Sequence, residues 1–344
     1  MSMEENFSGS IVTITGGTGS FGNTMVNSLL KTEVEEIRIF SRDENKQDFM
    51  RNKYSNEKLK FYIGDIRDFD SINKAIKGSN YVFHAAALKQ VPSCEFFPNQ
   101  AVATNIQGST NVIESCINNG IKTLVCLSTD KAVYPINSMG MSKALMEKIA
   151  QSYARLSSKN QTHIKITRYG NVLMSRGSVV PLFFSQIYAN KPMTITNPNM
   201  SRFVMSLDES VDLVKHAFFN GESGDIFVKK ASGCRIETLA KAVGKITGKT
   251  DKSETRQIGV RHGEKNYEVL VSAEEMIVAE DSEEYYRIPI DTRSLDYQAY
   301  FNRGSTNYKT SEAYTSDNTT QLSVEEVVQK IQNSPEFKAL EKNE

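Results

Sequence analysis

The sequence lacks the features that mark membrane, exported and metal-binding proteins. Its 344 residues contain no apolar run near the ~20 residues that a membrane span needs. The first residues, MSMEENF, have neither the basic nor the apolar part of an export signal. The four cysteines include no C-x-x-C pair, which argues against a zinc site and against a disulfide scaffold. We therefore expect a cytoplasmic protein without a bound metal.

An excess of charge of one sign is also missing, because 41 lysines and arginines balance 41 aspartates and glutamates. No net field attracts the chain to nucleic acid or to an anionic membrane, so we expect neither as a partner. The sequence shows no tandem repeat and no low-complexity tract. At about 150 residues per domain, the length is enough for roughly two domains.

Short β-branched runs alternate with helical patterns in the first half of the chain. Strands are expected at residues 10–15, 36–40, 59–63, 81–84, 123–128 and 163–168. Helices are expected between them at residues 21–31, 43–53, 69–77, 100–119 and 138–158. This repetition predicts an α/β fold with a Rossmann-type, doubly wound parallel sheet.

The regular alternation ends after Gly170. The remaining sequence has short helical patterns, proline-containing loops and isolated strands, which indicates a smaller, partly interleaved C-terminal substrate domain. Ser206 and Glu209 form a capping-box pattern before a helix at 207–220, and Gly248 stands where a helix at 236–247 would end. We expect a Rossmann domain that binds the cofactor at 1–170, a substrate domain at 171–290, and a C-terminal arm and helix at 291–344.

A glycine-rich turn follows the first strand directly. Gly16, Gly19 and Gly22 stand three residues apart and lead into the next helix. Such glycines let the backbone turn tightly and approach a pyrophosphate, which then lies on free N–H groups at the helix N-terminus. The residues expected to contact a dinucleotide are Gly16, Thr18, Gly19, Ser20, Phe21, Gly22, Ser41, Arg42, Asp65, Ile66, Ala85, Ala86 and Lys143.

The tip of the second strand decides between NAD and NADP. An acidic residue there would bind the two ribose hydroxyls of NAD, whereas Ser41 and Arg42 suit the 2′-phosphate of NADP. Asp43 keeps NAD open as the less favoured cofactor, because a shift of one residue would bring its carboxylate to the ribose. Asp65, after the third strand, either accepts from the adenine amino group or is a loop acid.

Polar residues stand at the end of the fifth strand, where open α/β sheets place their chemistry. They are Thr129, Asp130 and Lys131, and the next helix carries Met139 and Lys143, four residues apart. With the glycine-rich turn, these residues resemble the extended short-chain dehydrogenase/reductase superfamily, in which a Tyr four residues before a Lys acts as the base. Position 139 departs from that pattern, because a thioether cannot act as a base.

Five segments together resemble the inverting UDP-N-acetylglucosamine 4,6-dehydratases, in the Met-containing branch that begins N-acetyl-L-fucosamine synthesis for capsule and O-antigen. The segments are 84–92, 129–131, 139–143, 168–172 and 261–265. The resemblance implies that Lys131 removes the C5 proton after oxidation at C4, and that Asp130 protonates the departing C6 hydroxyl. Return of hydride to C6 and reprotonation on the opposite face of C5 would give a 4-keto-6-deoxy sugar of L configuration.

Both roles need shifted pKa values, because Asp130 must hold a proton near neutral pH and Lys131 must lose one. We expect burial to favour both shifts, and the charge of Lys143 to lower the pKa of Lys131. A direct ion pair would oppose them, and consecutive residues at a strand end tend to point apart, so the two side chains must be brought together by the loop. Since Met139 cannot act, Lys131 or Lys143 is expected to take the O4 proton, through water and Thr129.

The resemblance also implies a UDP-sugar substrate held by residues from several segments. These residues are Lys89, Arg168, Asn171, Arg202, Arg261 and Glu264. Arginine is a natural clamp for a diphosphate, and Glu264 is available for the uridine ribose. Taken singly, each arginine is as well explained by a salt bridge.

Two other functions stay open from the sequence. A UDP-sugar 4-epimerase shares the fold and the C4 oxidation but has no need of the Asp130–Lys131 pair. A non-catalytic NADP-sensing protein is favoured only by Met139. C3 epimerisation also stays open, because a 4-ketone acidifies C3 as well. Relatives assemble through helices of the cofactor domain, so we expect a homo-oligomer, a dimer or a hexamer, in which an arm at 291–317 embraces a neighbour.

Overall fold

A large, mostly parallel sheet forms the centre of the protein. The computed structural model describes residues 7–157, 162–249, 255–291 and 311–341. The strands in these ranges are β1 (Ile11–Thr15), β2 (Glu36–Ser41), β3 (Leu59–Ile63), β4 (Tyr81–His84), β5 (Thr123–Leu127), β6 (His163–Arg168), β7 (Asn171–Val172), β8 (Met193–Ile195), β9 (Ser201–Met205), β10 (Ile226–Lys229), β11 (Ser232–Arg235), β12 (Thr255–Gln257), β13 (Val269–Val271), β14 (Glu280–Asp281), β15 (Tyr285–Ile288) and β16 (Tyr314–Thr315).

Helices connect these strands and cover the sheet. They are α1 (Ser20–Leu29), α2 (Glu44–Tyr54), α3 (Phe69–Ile76), α4 (Val91–Phe96), α5 (Pro98–Ala101), α6 (Ser109–Asn118), α7 (Ser138–Ser157), α8 (Val179–Tyr188), α9 (Leu207–Asn220), α10 (Ile236–Thr247), α11 (Ala273–Met276), α12 (Val324–Asn333) and α13 (Pro335–Glu341). A π-helix spans Val102–Gly108 and a 3₁₀ helix spans Asp130–Ala132. In the described ranges, no helix is long and apolar enough to cross a membrane.

The strand order in the main sheet is β14-β15-β10-β6-β5-β4-β1-β2-β3. In this order, the seven strands from β10 to β3 pair in parallel. Strand β15 pairs antiparallel with both of its neighbours, β10 and β14. All five residues of β5 are buried, as expected for a strand covered by helices on both faces. The predicted α/β fold with a doubly wound parallel sheet is therefore confirmed.

A second, smaller core follows β6. It packs β9 and helices α8, α10 and α12 around buried apolar side chains that include Phe183, Phe184 and Ile331. Because β10, β14 and β15 return from this half of the chain to the main sheet, the two cores interleave. The domain boundaries at 170 and 290 stay predictions, and most of the expected arm lies outside the described residues.

The helix ends agree with the capping patterns in the sequence. The Ser206 hydroxyl accepts from the Glu209 N–H while the Glu209 carboxylate accepts from the Ser206 N–H, and Gly248 ends α10 at a φ of 71°. The single helix expected at 100–119 is wrong in detail. It is α5, the π-helix and α6 in succession, and the π-helix turns the Asn105 side chain inward, where it bonds both backbone groups of Leu88.

Candidate functional site

The carboxyl ends of β1, β4 and β5 meet at one edge of the sheet and form a cleft. At its floor, the Ala86 N–H donates to the Thr15 hydroxyl over 3.3 Å. A Cβ on Gly16 would lie 2.8 Å from the Ala86 nitrogen, so only glycine fits at this left-handed position. The glycine-rich turn and the segment around Ala85 and Ala86 therefore lie side by side, as expected of two cofactor-binding segments.

The turn itself fits a dinucleotide. A Cβ on Gly22 would lie 2.2 Å from the carbonyl oxygen of Gly17, so glycine lets α1 start directly against the turn. No side chain caps the N-terminus of α1, and Gly19 at that position is exposed. The first N–H groups of the helix are thus open to a pyrophosphate. Phe21 points away from them into the core.

At the tip of β2, the acidic residue is already engaged. Asp43 caps α2 by accepting from the Lys46 N–H over 3.0 Å, and its carboxylate also pairs with the Lys46 amine. Hydrogen bonds from Lys46 lower the pKa of Asp43. Arg42 is about half exposed and carries only a long contact of 3.4 Å to Asp65. This arrangement supports Arg42 rather than Asp43 as the partner of the adenosine ribose.

After β3, both expected cofactor contacts, Asp65 and Ile66, have partners within the protein. Asp65 accepts two side-chain bonds from Arg67, at 2.6 and 2.9 Å, and one from the Arg67 N–H, which supports the loop-acid alternative. The Ile66 side chain is buried in the core and its carbonyl accepts from Asn111, and the expected cofactor contact of Ile66 stays a prediction. The Ile66 side chain therefore does not line the cleft.

Thr129, Asp130 and Lys131 form a tight turn directly after β5. The Thr129 hydroxyl donates to Asp130 Oδ1 over 2.8 Å, and the Lys131 N–H donates back to that hydroxyl over 3.4 Å. The 3₁₀ geometry brings Lys131 Nζ to 3.1 Å from Asp130 Oδ1. Asp130 is fully buried, and its Oδ2 has no hydrogen-bond partner among the described residues. The two side chains converge, but they do so as a direct ion pair, the arrangement expected to oppose the pKa shifts that the two roles need.

The expected downward shift at Lys131 is wrong. Burial lowers the pKa of Lys131, but the carboxylates of Asp130 and Glu268 outweigh burial, and the net shift is upward. The opposite holds at Lys143, where burial lowers the pKa to about 8. Lys143 donates to the Leu127 carbonyl at the end of β5 over 2.7 Å. The two lysines thus differ in how readily each gives up its proton.

Met139 lies in the first turn of α7 and is buried in a small apolar cluster with Cys94 and Ala101. The next residue, Gly140, brings α7 against the turn that contains Lys131, because a Cβ there would lie 2.2 Å from the carbonyl oxygen of Lys131. This role of Gly140 was not predicted from the sequence. The signal was a glycine inside a helical pattern, which often marks a close backbone approach.

Arg168 is the clearest correction among the expected substrate residues. Its guanidinium is buried and makes four bonds of 2.7 to 2.9 Å to the carboxylates of Glu147 and Glu275. A guanidinium satisfied in this way is not available to a diphosphate. Arg168 instead joins α7 to α11 through salt bridges, which is the alternative explanation given above for each arginine.

Asn171 and Arg202 lie together along one small cavity in the second core. Arg202 donates to the carbonyl of Ser201 over 2.7 Å, and its Nε lies 3.8 Å from Glu268 Oε1. The side-chain oxygen of Asn171 is buried and has no hydrogen-bond partner in the part of the chain that the structure describes, which leaves it able to accept a hydrogen bond. The structure therefore brings these two expected residues together.

Lys89, Arg261 and Glu264 lie at the outer edge of the cleft. The Lys89 amine donates to the Arg176 carbonyl over 2.9 Å. This hydrogen bond joins the segment after β4 to the loop after β7. Arg261 and Glu264 pair over 2.9 Å. Their segment reaches the start of α7, because Asn137 donates to the carbonyl of Gly263.

Two further residues belong to this region and were missed. Glu268 is buried within 3.4 Å of Lys131, and the signal was an acid directly before the apolar run of β13. Arg176 is exposed, and its N–H donates to the Ser20 hydroxyl at the start of α1 over 3.4 Å. Its charge acts on Asp43, at the tip of β2. No sequence signal singled out Arg176, because it stands in an irregular loop.

Comparison with known proteins gives matches over most of the chain. Residues 12–290 match the model of the polysaccharide biosynthesis protein family, and residues 291–338 match the model of the polysaccharide biosynthesis protein C-terminal region. A Rickettsia rickettsii protein named UDP-glucose 4-epimerase is 57% identical over 318 residues, which are 91% of this chain and 93% of that protein.

Solved structures agree with this. The X-ray structure of Pen from Bacillus thuringiensis has a TM-score of 0.87 at 32% identity, over 95% of this chain and 98% of that one. DesIV, a dTDP-glucose 4,6-dehydratase from Streptomyces venezuelae solved with NAD, has a TM-score of 0.68 at 20% identity over 74% and 86% of the two chains, a likeness of fold alone. The chain thus belongs to the polysaccharide biosynthesis protein family and is an enzyme of the nucleotide-sugar dehydratase and epimerase type, with the extended short-chain dehydrogenase/reductase fold.

Proposed function

We propose that the protein is an NADP-dependent UDP-N-acetylglucosamine 4,6-dehydratase that inverts C5. The observation that carries this proposal is the 3.1 Å contact between the buried Asp130 and the partly buried Lys131 at the end of β5. An acid and an amine held together at that edge are suited to removing a proton and delivering one to a leaving hydroxyl. A 4-epimerase needs neither step.

A bound nicotinamide would supply the hydride chemistry of the reaction, in which a hydride leaves C4 and later returns to C6. The protein's own residues handle the protons. Lys143, whose pKa burial lowers to about 8, is neutral in part near pH 7 to 8 and serves to take the O4 proton through water and Thr129. Met139 has no part in this step, because it is a buried thioether.

The ion pair of the resting protein converts into an acid and a base by one proton transfer. Moving the proton from Lys131 Nζ to the Asp130 carboxylate, over the 3.1 Å contact, leaves a neutral amine beside a carboxylic acid. The amine then takes the C5 proton, the C5–C6 double bond forms, and Asp130 protonates the hydroxyl that leaves C6 as water. A proton from solvent, delivered to the opposite face of C5 as hydride returns to C6, saturates the double bond and completes the inversion.

The substrate residues that the geometry favours are Asn171, Arg202, Arg261 and Glu264. Gly16, Gly19 and Gly22 would hold the pyrophosphate of the cofactor, and Arg42 the 2′-phosphate. A role in capsule or O-antigen synthesis and a cytoplasmic location stay predictions.

NMR of the protein with NADP and UDP-N-acetylglucosamine in heavy water tests the proposal. We expect a new C6 methyl signal and deuterium at C5 of the product. A product of galacto configuration without solvent deuterium would identify a 4-epimerase, and that alternative is supported by the name of the Rickettsia relative. Recovery of unchanged substrate would contradict both.

A further inference from the structure

Glu268 lies beside Lys131, although no step of the proposed reaction uses it. It stands immediately before β13, and its side chain is 3% exposed. One carboxylate oxygen, Oε1, lies 3.4 Å from Lys131 Nζ. The other, Oε2, is buried and makes no hydrogen bond with the described residues. A buried carboxylate with an uncommitted oxygen calls for a physical explanation.

The charged cluster around Lys131 contains two anions and, with Lys131 itself, three cations. The charged groups that face Lys131 come from its own turn, from β9 and from the segment before β13, and they are Asp130, Arg202, Lys265 and Glu268. Tyr169, after β6, faces Asp130. The Nε of Arg202 and the amine of Lys265 each lie 3.8 Å from Glu268, one at each carboxylate oxygen. Glu268 therefore contacts every cation of the cluster.

The backbone of Glu268 is fixed by the C-terminal part of the chain. The Glu268 N–H donates to the Ser316 hydroxyl over 2.9 Å, and the Ser316 N–H donates to the Glu268 carbonyl over 2.9 Å. The Ser316 hydroxyl also bonds that of Ser201 over 2.7 Å. These contacts join β9, β13 and β16, so the carboxylate is held in place before any substrate arrives.

We propose that Glu268 is a positioning residue for Lys131, in the reaction proposed above, on which this inference rests. Its carboxylate holds the Lys131 amine at the carboxyl of Asp130. It also balances the ammonium when Asp130 carries a proton, because an unpaired buried ammonium is strongly unfavourable. Arg202 and Lys265 in turn balance Glu268 when Lys131 is neutral. Each protonation state of the pair thus keeps its charges compensated.

Removing the Glu268 charge should change the proton equilibrium of Lys131 in a defined direction. Burial lowers the pKa of Lys131, and the carboxylates of Asp130 and Glu268 raise it above the ordinary value. Glu268→Gln removes one of these anions and leaves two cations nearby. The pKa of Lys131 is therefore expected to fall.

NMR titration of the lysine amines, in full-length protein labelled with ¹⁵N at lysine Nζ, measures this directly. The Lys131 signal is assigned as the one missing from Lys131→Arg. We expect its midpoint to fall by at least one pH unit in Glu268→Gln, and by less in Glu268→Asp, which keeps the charge. Glu237→Gln, which removes a carboxylate paired with Lys241 on the surface of α10, is the matched control and should leave the midpoint unchanged.

A Lys131 midpoint that does not move in a folded Glu268→Gln protein would overturn the inference. If that variant does not fold, Glu268→Ala, which also removes the charge, is titrated in its place, and an unmoved Lys131 midpoint there would overturn the inference. The titration uses no substrate, so its result does not depend on which product the enzyme forms. For the dehydratase, we further expect Glu268→Gln to lower kcat at least tenfold with KM little changed, and to move the acid limb of its pH profile to lower pH.

Discussion

Lys143 is buried and Lys131 is partly buried, and their surroundings move their proton equilibria in opposite directions. Burial dominates at Lys143 and lowers its pKa to about 8, since the carboxylate of Glu147 opposes burial only in part. At Lys131 two carboxylates outweigh burial. The same residue type can therefore serve as a base at one position and as half of an ion pair at the other.

Lys131→Ala should abolish dehydration and C5 exchange. Removing a general base from a reaction of this kind costs roughly 10²- to 10⁴-fold in rate. We expect a loss in that range by NMR in heavy water, while Lys241→Ala on the surface should behave as wild type. Retention of C5 exchange by Lys131→Ala would remove Lys131 as the base.

Met139→Leu should keep most of the activity. The thioether packs among apolar side chains, and a Leu of similar volume replaces it at a cost usually below about 1.5 kcal/mol. Met139→Tyr should be tolerated or activating if its hydroxyl reaches the substrate. Turnover of both variants is compared with thermal unfolding. A folded Met139→Leu protein without activity would give Met139 a chemical role.

Arg42→Ala should weaken NADP much more than NAD. A charge-assisted bond to a phosphate contributes about 1.5 to 3 kcal/mol, which is roughly 10- to 100-fold in affinity. Calorimetric titration with each dinucleotide measures the ratio. Arg51→Ala, on the exposed face of α2, is the control. Equal losses for the two cofactors would assign Arg42 to another part of the dinucleotide.

Among elements, β1 and β4 are tied together by a buried histidine. His84 Nδ1 bonds the Thr15 hydroxyl over 2.7 Å, and Nε2 bonds the Ser109 hydroxyl over 2.9 Å. Burial, with help from the charge of Lys143, lowers the pKa of His84 to about 3. The folded protein therefore keeps His84 neutral at every pH at which the enzyme would work.

This burial predicts a loss of stability in mild acid. An unfolded His binds a proton near pH 6.5, whereas the folded one does not until about pH 3. The unfolded state thus binds more protons between these limits, and the free energy of unfolding falls as pH falls through this window. Thermal unfolding between pH 8 and pH 5 should show this decrease, and His84→Gln should show less of it. Equal slopes for the two proteins would contradict the assignment.

The elements differ in how far the sequence determines them. Strands β3 and β4 match the predicted ranges because their apolar runs are bounded by clear turn signals. The π-helix was not predictable, since Asn105 is turned inward by a local insertion that leaves the helical periodicity on either side intact. The residues of the site also differ in how far the sequence determines them. Asp130 and Lys131 were found from their position after β5, but the contact of Glu268 with Lys131 depends on pairing with the C-terminal β16, more than 40 residues along the chain.

On the scale of the whole molecule, apolar side chains remain exposed on the cofactor half. Val102 in the π-helix and Met141 and Leu145 in α7 are each about half exposed. Single exposed side chains are ordinary, but three on neighbouring helices favour self-association. They are consistent with the homo-oligomer expected through helices of this half.

Met141→Asp is therefore expected to shift the protein toward the monomer. A charge placed in an apolar interface is desolvated without a partner, which weakens association by several kcal/mol. Light scattering at micromolar concentration measures the change in mass. Leu182→Asp, an equally drastic change at an exposed residue of α8, should leave the mass as it is. A wild-type protein that is already monomeric would end the oligomer hypothesis.

The outermost strands of the nine-stranded sheet limit how copies of the protein can meet. On one side the sheet ends in β14, which is two exposed acidic residues long. On the other side it ends in β3, which presents Lys60 to solvent. Short edges and charged edge residues discourage a further strand from joining. These two edges are therefore expected to discourage edge-to-edge pairing between copies of the protein.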